Sequence, residues 1–463
     1  MGSRRLKERR EWIPSWQMLW LLVPNFLLAS AVSNAPTLWG RPLQPLASVW
    51  VVLSSTSALV LMWWGTRTVW RTPSAPASGW KQRWLQLVRL GILVPCVLIG
   101  LFQFTRNIRQ IAATPQYFNG SLAYLHLGAE EILQGQNPFA DSQLLWKASR
   151  RWPMLLPTPL LRGRYANTPL RYPSPTELQT VMGLQAHNRL SRTGEFDPAT
   201  AHNYPAGGYW LAIPMVWAGG ISLQWLNVLA ILVMMGLVLH RTPKSLRLLM
   251  GGLLVCQTMV FYTSFDALCM VFVLAAWHTQ ARGHLSAGLL GMACAIKQTA
   301  WLFIPFYLIE IAHREGWRVA RRRGIECGAW FLGVNLPFLI ADPSAWINSL
   351  IVPMHAALFP GGIGIIAPAL GGVWPLWPSV VYGLLEGVVW FALILWYVRQ
   401  RTVNSIGIVL ALIPLLVAWR SFGTYFTLIP LLALWCFAKQ ASQSATNDAA
   451  VQPAINAVAQ HTI

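Results

Sequence analysis

The sequence predicts an all-α polytopic membrane protein with about 11–12 transmembrane helices and one long outer loop. Three observations predict it. Of 463 residues, 55% are hydrophobic and only 11% charged, with a mean hydropathy of +0.45, whereas a soluble domain carries about 25% charged residues. Apolar runs long enough to cross about 30 Å of hydrocarbon recur along the chain. Gly, Pro and Arg clusters interrupt them, never period-2 alternation, which selects helices over a barrel. The formal charge of +20 does not indicate nucleic acid, because Lys and Arg collect in short loops as the positive-inside rule requires. Many of the 26 tryptophans fall near span ends, where an interfacial belt places them.

The elements follow in order. Five Lys/Arg among the first ten residues hold the N-terminus inside and make residues 1–14 a basic cytoplasmic tail. Residues 15–86 hold two spans, Ser15–Ala35 and Pro45–Trp64, and a cytoplasmic loop; the segment Gly65–Arg89 returns five more Lys/Arg inside. The main transmembrane domain is 87–440. It opens with a span at Leu87–Phe104, which leads out to the loop 106–203. Gln224–His240 returns inward onto Arg241, Lys244 and Arg247, and Leu246–Tyr262 and Ala267–Gln280 follow. Leu285–Ile296 and Thr299–Ile311 read either as two short halves hinged at Lys297-Gln298 or as one tilted span. Ile325–Ile340, Trp374–Val398, Val403–Ala418 and Phe422–Phe437 complete the set. Pro205–Gly219 is too short to cross twice and reads as a re-entrant or interfacial element. Residues 441–463 are small and polar, a composition expected to be disordered. This threading places 22 of 35 Lys/Arg inside, with both termini cytoplasmic. A cytoplasmic (inner) membrane location is expected.

The loop 106–203 concentrates the polar chemistry: six of the 15 acidic residues lie in it beside ten Lys/Arg. Ser121–Leu133 contains no proline and ends at Gly135, with Asn137-Pro138 beyond, the pattern of a short interfacial helix with a glycine stop. Glu130 and Glu131 are adjacent on it and diverge by about 100°, so only one can face a cleft; the competing explanation is that both are solvated. Asp141 and Asp197 are further candidates, although Asp197 before Pro198 also suits a turn. His202 could be a proton-transfer partner beside Tyr204-Pro205. Lys297 stands between two apolar halves, where a lysine costs roughly 2.5–3.5 kcal/mol unless paired or wet. It could bind an anionic phosphate, or it could snorkel from a helix end. Arg106 and Arg420 are interfacial anchors or members of the same basic site. Asp266 at the start of a span is favourable there by capping and dipole alone. The six cysteines (Cys96, Cys256, Cys269, Cys294, Cys327 and Cys436) show no ligand spacing, so no metal, cofactor or disulfide framework is expected.

Taken in order, three segments resemble a known pattern. Tyr124 with Gly135-Gln136-Asn137-Pro138-Phe139 is similar to the "Y…G-x-N-P-Y" signature in the first outer loop of bacterial family-87 glycosyltransferases, which are GT-C-type, polyprenyl-phosphate-dependent mannosyltransferases. Tyr204-Pro205-Ala206 resembles their "Y-P-P" return into the membrane. Ala287-Gly288-Leu289-Leu290-Gly291-Met292-Ala293-Cys294-Ala295-Ile296-Lys297-Gln298 resembles their "A-G-x-x-x-G-x-A-x-x-x-K" helix. The resemblance covers roughly residues 88–435. It departs at one point: the family's catalytic Asp lies about four residues before the loop tyrosine, and here that region reads Asn119-Gly120-Ser121.

The resemblance implies a GT-C-like helical bundle that moves a hexose, mannose favoured, from a polyprenyl-phosphate-linked sugar donor to a lipid or glycan acceptor. Glu131, Asp141, Asp197 and Glu130 are the candidates for the base, unassigned among themselves. Lys297, Arg106 and Arg420 would bind the donor phosphate, and Asn137, His202, Tyr204, Gln298 and Asp266 would line the substrate. Membrane lipid is the remaining partner. The alternative is a lipid-linked-sugar transporter or flippase, or a catalytically silent protein of this fold. A transporter should show paired broken helices and midplane charges, and the sequence displays one break, at Lys297.

Overall fold

In a computed structural model the chain is described over residues 23–34, 45–68, 79–113, 117, 120–141, 144–152, 155, 203–219, 221–257, 265–355, 360–400 and 405–443. The described residues form an all-α membrane protein. Five helices are long and apolar enough to cross a bilayer, at Pro45–Met62, Leu90–Ala113, Gln224–Arg241, Trp317–Ala341 and Ser379–Val398. The last of these carries Leu384, Val388 and Phe391 more than half exposed, an apolar surface suited to lipid.

Fewer uninterrupted spans appear among the described residues than the 11–12 expected from hydropathy. The segment expected at 267–280 gives Asp266–His278, a helix of about 20 Å at 1.5 Å per residue; of the one expected at 246–262, Arg247–Gln257 is helical and residues 258–262 lie outside the described residues. The segment at 403–418 is not a continuous helix: a turn at Gly407–Leu410 passes into a 3-10 turn at Ile413–Leu416. The segment at 422–437 divides into Gly423–Phe426 and a helix over 429–443. Pro414 and Pro430 remove backbone donors at these interruptions. Irregular backbone survives at membrane depth only where protein buries it, and Ile406 to Leu412 are all buried.

The ambiguous segment 285–311 is a hairpin. Gly283–Ile296 is α-helical, Lys297 is extended at φ −152° and ψ 139°, and Gln298–Phe303 is a 3-10 turn leading into Ile304–Glu315. The two halves return antiparallel. Ser286 Oγ meets Tyr307 Oη at 2.6 Å, and Trp301 Nε1 donates to the Cys294 carbonyl at 3.1 Å. The open ends converge on Gln280: Arg314 donates to its Oε1 at 2.9 Å and Arg323 to its carbonyl at 2.9 Å. This basic end also holds Arg241, which donates to the His278 carbonyl. The Trp317–Ala341 helix packs along both halves of the hairpin.

Two elements lie outside the expected set. Pro343–His355 is a helix that follows Trp317–Ala341. Residues 360–370 form a buried loop and a short helix, Ile366–Leu370, against the Pro45–Thr68 helix. Within it Gly361–Gly362 pairs in parallel with Arg420–Ser421, the one strand pair among the described residues. Gly362 has φ +132°, and a Cβ there would stand 1.9 Å from the Ser421 carbonyl oxygen, so only glycine permits the approach.

The Gly207–Trp217 helix realises the short element expected at 205–219; at 11 residues it does not span. The terminal helix persists through 443, so the first residues of the tail expected to be disordered from 441 are helical. The N-terminal tail and residues 444–463 lie outside the described residues.

Candidate functional site

Two buried polar clusters occupy the end of the bundle opposite the Gln280 end. The first surrounds the Lys297 break. Extended backbone there ends the Gly283–Ile296 helix and turns the Lys297 side chain inward, where it is 6% exposed. Its Nζ donates to Asp266 Oδ1, a carboxylate 3% exposed at the first turn of Asp266–His278. The same Nζ sits 5.3 Å from the Tyr204 ring centroid and 4.9 Å from that of Tyr425, a cation held between two π faces. Arg420 lies within the electrostatic reach of the same two tyrosines and stacks its guanidinium 4.6 Å from the Phe422 ring. Gln298 Nε2 donates to the Asn203 carbonyl at 2.6 Å, tying the hairpin tip to the segment that brings Tyr204 in. Asn335 anchors that segment from the other side: its Oδ1 accepts from Ala206 N at 2.9 Å and from Trp346 Nε1 at 3.0 Å.

The structure thus brings together Lys297, Asp266, Tyr204, Gln298 and Arg420, five of the residues singled out from sequence. It does not bring Arg106 to them. Arg106 is exposed on the Gly79–Ala113 helix, which packs on Arg247–Gln257, and no described contact joins it to Lys297. Snorkelling does not account for Lys297, because its ammonium is buried. Asp266 is more than a helix-terminal carboxylate, since Lys297 engages it.

The second cluster lies on the loop. The helix is Gly120–Leu133, and Gly135 takes the left-handed turn expected of it, at φ +74°. The helix is not a surface element: Leu122 to Ala129 are buried, packed against Gly207–Trp217. The cause is visible at Gly128, where a Cβ would lie 2.0 Å from the Tyr209 ring. Glu130 and Glu131 diverge as their spacing requires, and they are not both solvated. Glu131 is buried and meets Lys147 Nζ at 2.6 Å, while Lys147 also meets Asp141 at 2.8 Å. Burial, and the Asp141 carboxyl beside it, push the Glu131 carboxyl up to about 7 against the opposing pull of Lys147. Glu131 Oε2 and Asn137 Nδ2 are buried with no hydrogen-bond partner, while Asn137 Oδ1 accepts from Phe139 N in a local turn.

Glu130 faces the other way, to Arg151 at 2.6 Å and His126 Nε2 at 3.2 Å. Tyr117 Oη accepts from Leu223 N at 2.8 Å and meets His126 Nδ1 at 2.9 Å. Burial holds the His126 imidazole below its ordinary value, so the neutral ring accepts at Nδ1 and donates at Nε2. This relay, which the sequence did not reveal, fixes the loop helix to the start of Gln224–Arg241. Asp197 and His202 lie outside the described residues.

The two clusters meet through one segment. Tyr204 packs on Phe265, next to Asp266, with ring centroids 5.2 Å apart; Gly208 faces both Phe265 and Leu125 of the loop helix. A third polar cluster, also missed from sequence, sits at the basic end. Glu310, fully buried, accepts from Trp277 Nε1 and Ser405 Oγ at 2.8 Å each, and pairs with Arg314 at 2.6 Å and Lys439 at 3.2 Å. Its only sequence signal was an acid within an apolar half. No family model, curated protein or solved structure matches this chain.

Proposed function

We propose that the protein is a GT-C-type integral membrane glycosyltransferase, which moves a hexose, mannose favoured, from a polyprenyl-phosphate sugar to an acceptor on the outer face of the cytoplasmic membrane. The observation that carries the reading is the juxtaposition of a buried carboxylate poised near neutrality with a buried cation cluster, on either side of Tyr204–Tyr209. A general base works best with a pKa near the operating pH, and Glu131 meets that condition. Its unpartnered Oε2, and the unpartnered Asn137 Nδ2, offer an acceptor and a donor to sugar hydroxyls.

In this mechanism the acceptor hydroxyl gives its proton to Glu131 as its oxygen attacks C1 of the donor sugar. The bond from C1 to the phosphate oxygen breaks, and its electron pair stays on the polyprenyl phosphate. Lys297 and Arg420, already in place, stabilise that growing charge. Asp141 and Lys147 set the Glu131 proton affinity. The basic Gln280 end faces the cytoplasm, with both termini, and the Lys297 end faces outward.

The test is transfer of radiolabelled hexose from polyprenyl-phosphate hexose in proteoliposomes. Glu131→Gln and Lys297→Met each lower kcat by at least about a hundredfold, the ordinary weight of a general base or a charge-stabilising group. Full activity in Glu131→Gln rules out the assigned base.

One observation favours a second reading. A transporter is expected to carry paired interruptions, and the Lys297 break faces a second one, at 417–428, through Tyr425. A lipid-linked-sugar flippase would change donor sidedness without consuming it, so measuring both sidedness and consumption in the same vesicles separates the two.

A further inference from the structure

Remote from the Lys297 and Glu131 clusters, at the basic end, a groove of about 1160 Å³ opens between Gly79–Ala113, Gln224–Arg241 and Arg247–Gln257. That exceeds the roughly 300–1,000 Å³ of ordinary small-molecule pockets. Its walls are apolar along Leu93, Val97 and Leu98, and its mouth carries His240, Lys244 and Arg247. No carboxylate is among the described residues that line it. Glycines make the floor open: a Cβ at Gly236 or Gly251 would meet nothing within 4 Å. The walls are fixed, because Gly100 lets the Gly79–Ala113 helix approach the Val255 carbonyl so closely that a Cβ would lie 2.3 Å from it. Lys244 and Arg247 are exposed at the mouth, and Arg247 Nε donates to the Thr242 carbonyl at 3.3 Å.

We propose that this groove is a binding site for an anionic phospholipid, with its acyl chains against Leu93, Val97 and Leu98 and its phosphate at Lys244 and Arg247. The groove alone would accept any lipid tail. The one-signed mouth supplies the selection, since a basic pocket between transmembrane helices attracts an anionic headgroup. A zwitterionic headgroup brings its own cation to the same three basic side chains and loses that attraction. The site stands apart from the Lys297 cluster: Arg241, next to His240 at the mouth, binds the His278 carbonyl, and Asp266 begins that same helix 12 residues earlier, about 18 Å along its axis. The lipid is therefore a structural or regulatory ligand and not the sugar donor.

The experiment is native mass spectrometry of the full chain, released from mild detergent with equal amounts of phosphatidylglycerol and phosphatidylcholine of identical chains. The wild type is expected to retain phosphatidylglycerol at least tenfold over phosphatidylcholine. Lys244→Ala/Arg247→Ala loses that preference. Gly251→Leu, which fills open space and leaves the mouth intact, loses bound lipid of both kinds and so serves as an independent variant should the first be unstable. Glycerol 1-phosphate in hundredfold excess does not displace the lipid, which distinguishes a lipid site from a phosphate site. Equal retention of the two lipids by the wild type, an unchanged preference in the double variant, undiminished retention by Gly251→Leu, or displacement by glycerol 1-phosphate would each overturn the proposal.

Discussion

Lys297 and Asp266 offer the sharpest test of the site, through a double-mutant cycle. Both side chains are almost fully buried, at 6% and 3% exposure, so solvent and salt screen them little. Removing one member of a buried pair leaves the other charge desolvated, which costs about 3–5 kcal/mol. Lys297→Met also loses two cation–π contacts, each worth about 0.5–2 kcal/mol, so it is the more damaging single change. Asp266→Asn keeps the shape and strands the ammonium. Independent losses would sum to about 6–10 kcal/mol in the double variant. If the pair is real, the double variant carries no uncompensated charge, and replacing a buried pair by neutral groups is often close to neutral. Lys297→Met/Asp266→Asn is thus expected to be no less stable than either single variant, giving a coupling energy of about 3 kcal/mol or more. The assay is reversible unfolding in mixed micelles, followed by tryptophan fluorescence. Additivity within about 0.5 kcal/mol would refute the pairing and the argument built on it.

Glu131, raised from 4.5 to about 7, stays protonated in the folded chain where the unfolded chain has ionised. Its contribution is full below pH 4.5 and is lost as pH rises to 7, up to about 3 kcal/mol; Glu131→Gln should flatten that decline in a denaturation series. Gly362→Ala combines an unfavourable φ of +132° with a backbone collision at Ser421. Strain of about 1–3 kcal/mol plus the displaced strand pair should lower thermal stability and weaken phosphate-lipid binding through Arg420. Glu310→Ala leaves Lys439 without its carboxylate, and about 3–5 kcal/mol should be lost; Glu310→Ala/Lys439→Met should recover most of it by the same unfolding assay.

What hydropathy and spacing could reach was local. The loop helix with its Gly135 stop, the break at Lys297 and the short element after Pro205 are written within a dozen residues each, and each stands where expected. Partners across the chain were out of reach. Asp266 lies 31 residues from Lys297, and nothing in either segment specifies the other. The loop helix was expected at the membrane surface, as a proline-free stretch stopped at Gly135 and Asn137-Pro138; its burial follows from Gly128 accepting the Tyr209 ring, a contact made 81 residues away in sequence. The last two spans looked continuous because apolar composition reports depth and not regularity. Pro360-Gly361-Gly362-Ile363-Gly364 carried a readable signal, glycines spaced for a close backbone approach, but the partner strand at Arg420–Ser421 carries none.

The position of the irregular backbone bears on function more than the number of spans does. A broken helix frees carbonyls and N–H groups that hydrocarbon cannot satisfy, so each interruption needs a specific partner. Here the partners are other interruptions. Ile363 N donates to the Ser421 carbonyl at 2.7 Å and Ile365 N to the Leu416 carbonyl at 2.9 Å. Ser55 Oγ closes the Ile363 carbonyl from the Pro45–Thr68 helix at 2.8 Å. The same stretch that receives these bonds carries Arg420 and Tyr425, and Tyr425 covers the ammonium at the Lys297 break. Had packing alone been at stake, regular helices would have served at lower cost, as they do on the lipid-facing side at Ser379–Val398. Two of the interruptions satisfy each other's backbone, and the second carries Tyr425 to the buried Lys–Asp pair at the third. Under the proposed function this cation cluster would receive the donor phosphate, with the neutral-range carboxylate of Glu131 beyond Tyr204–Tyr209.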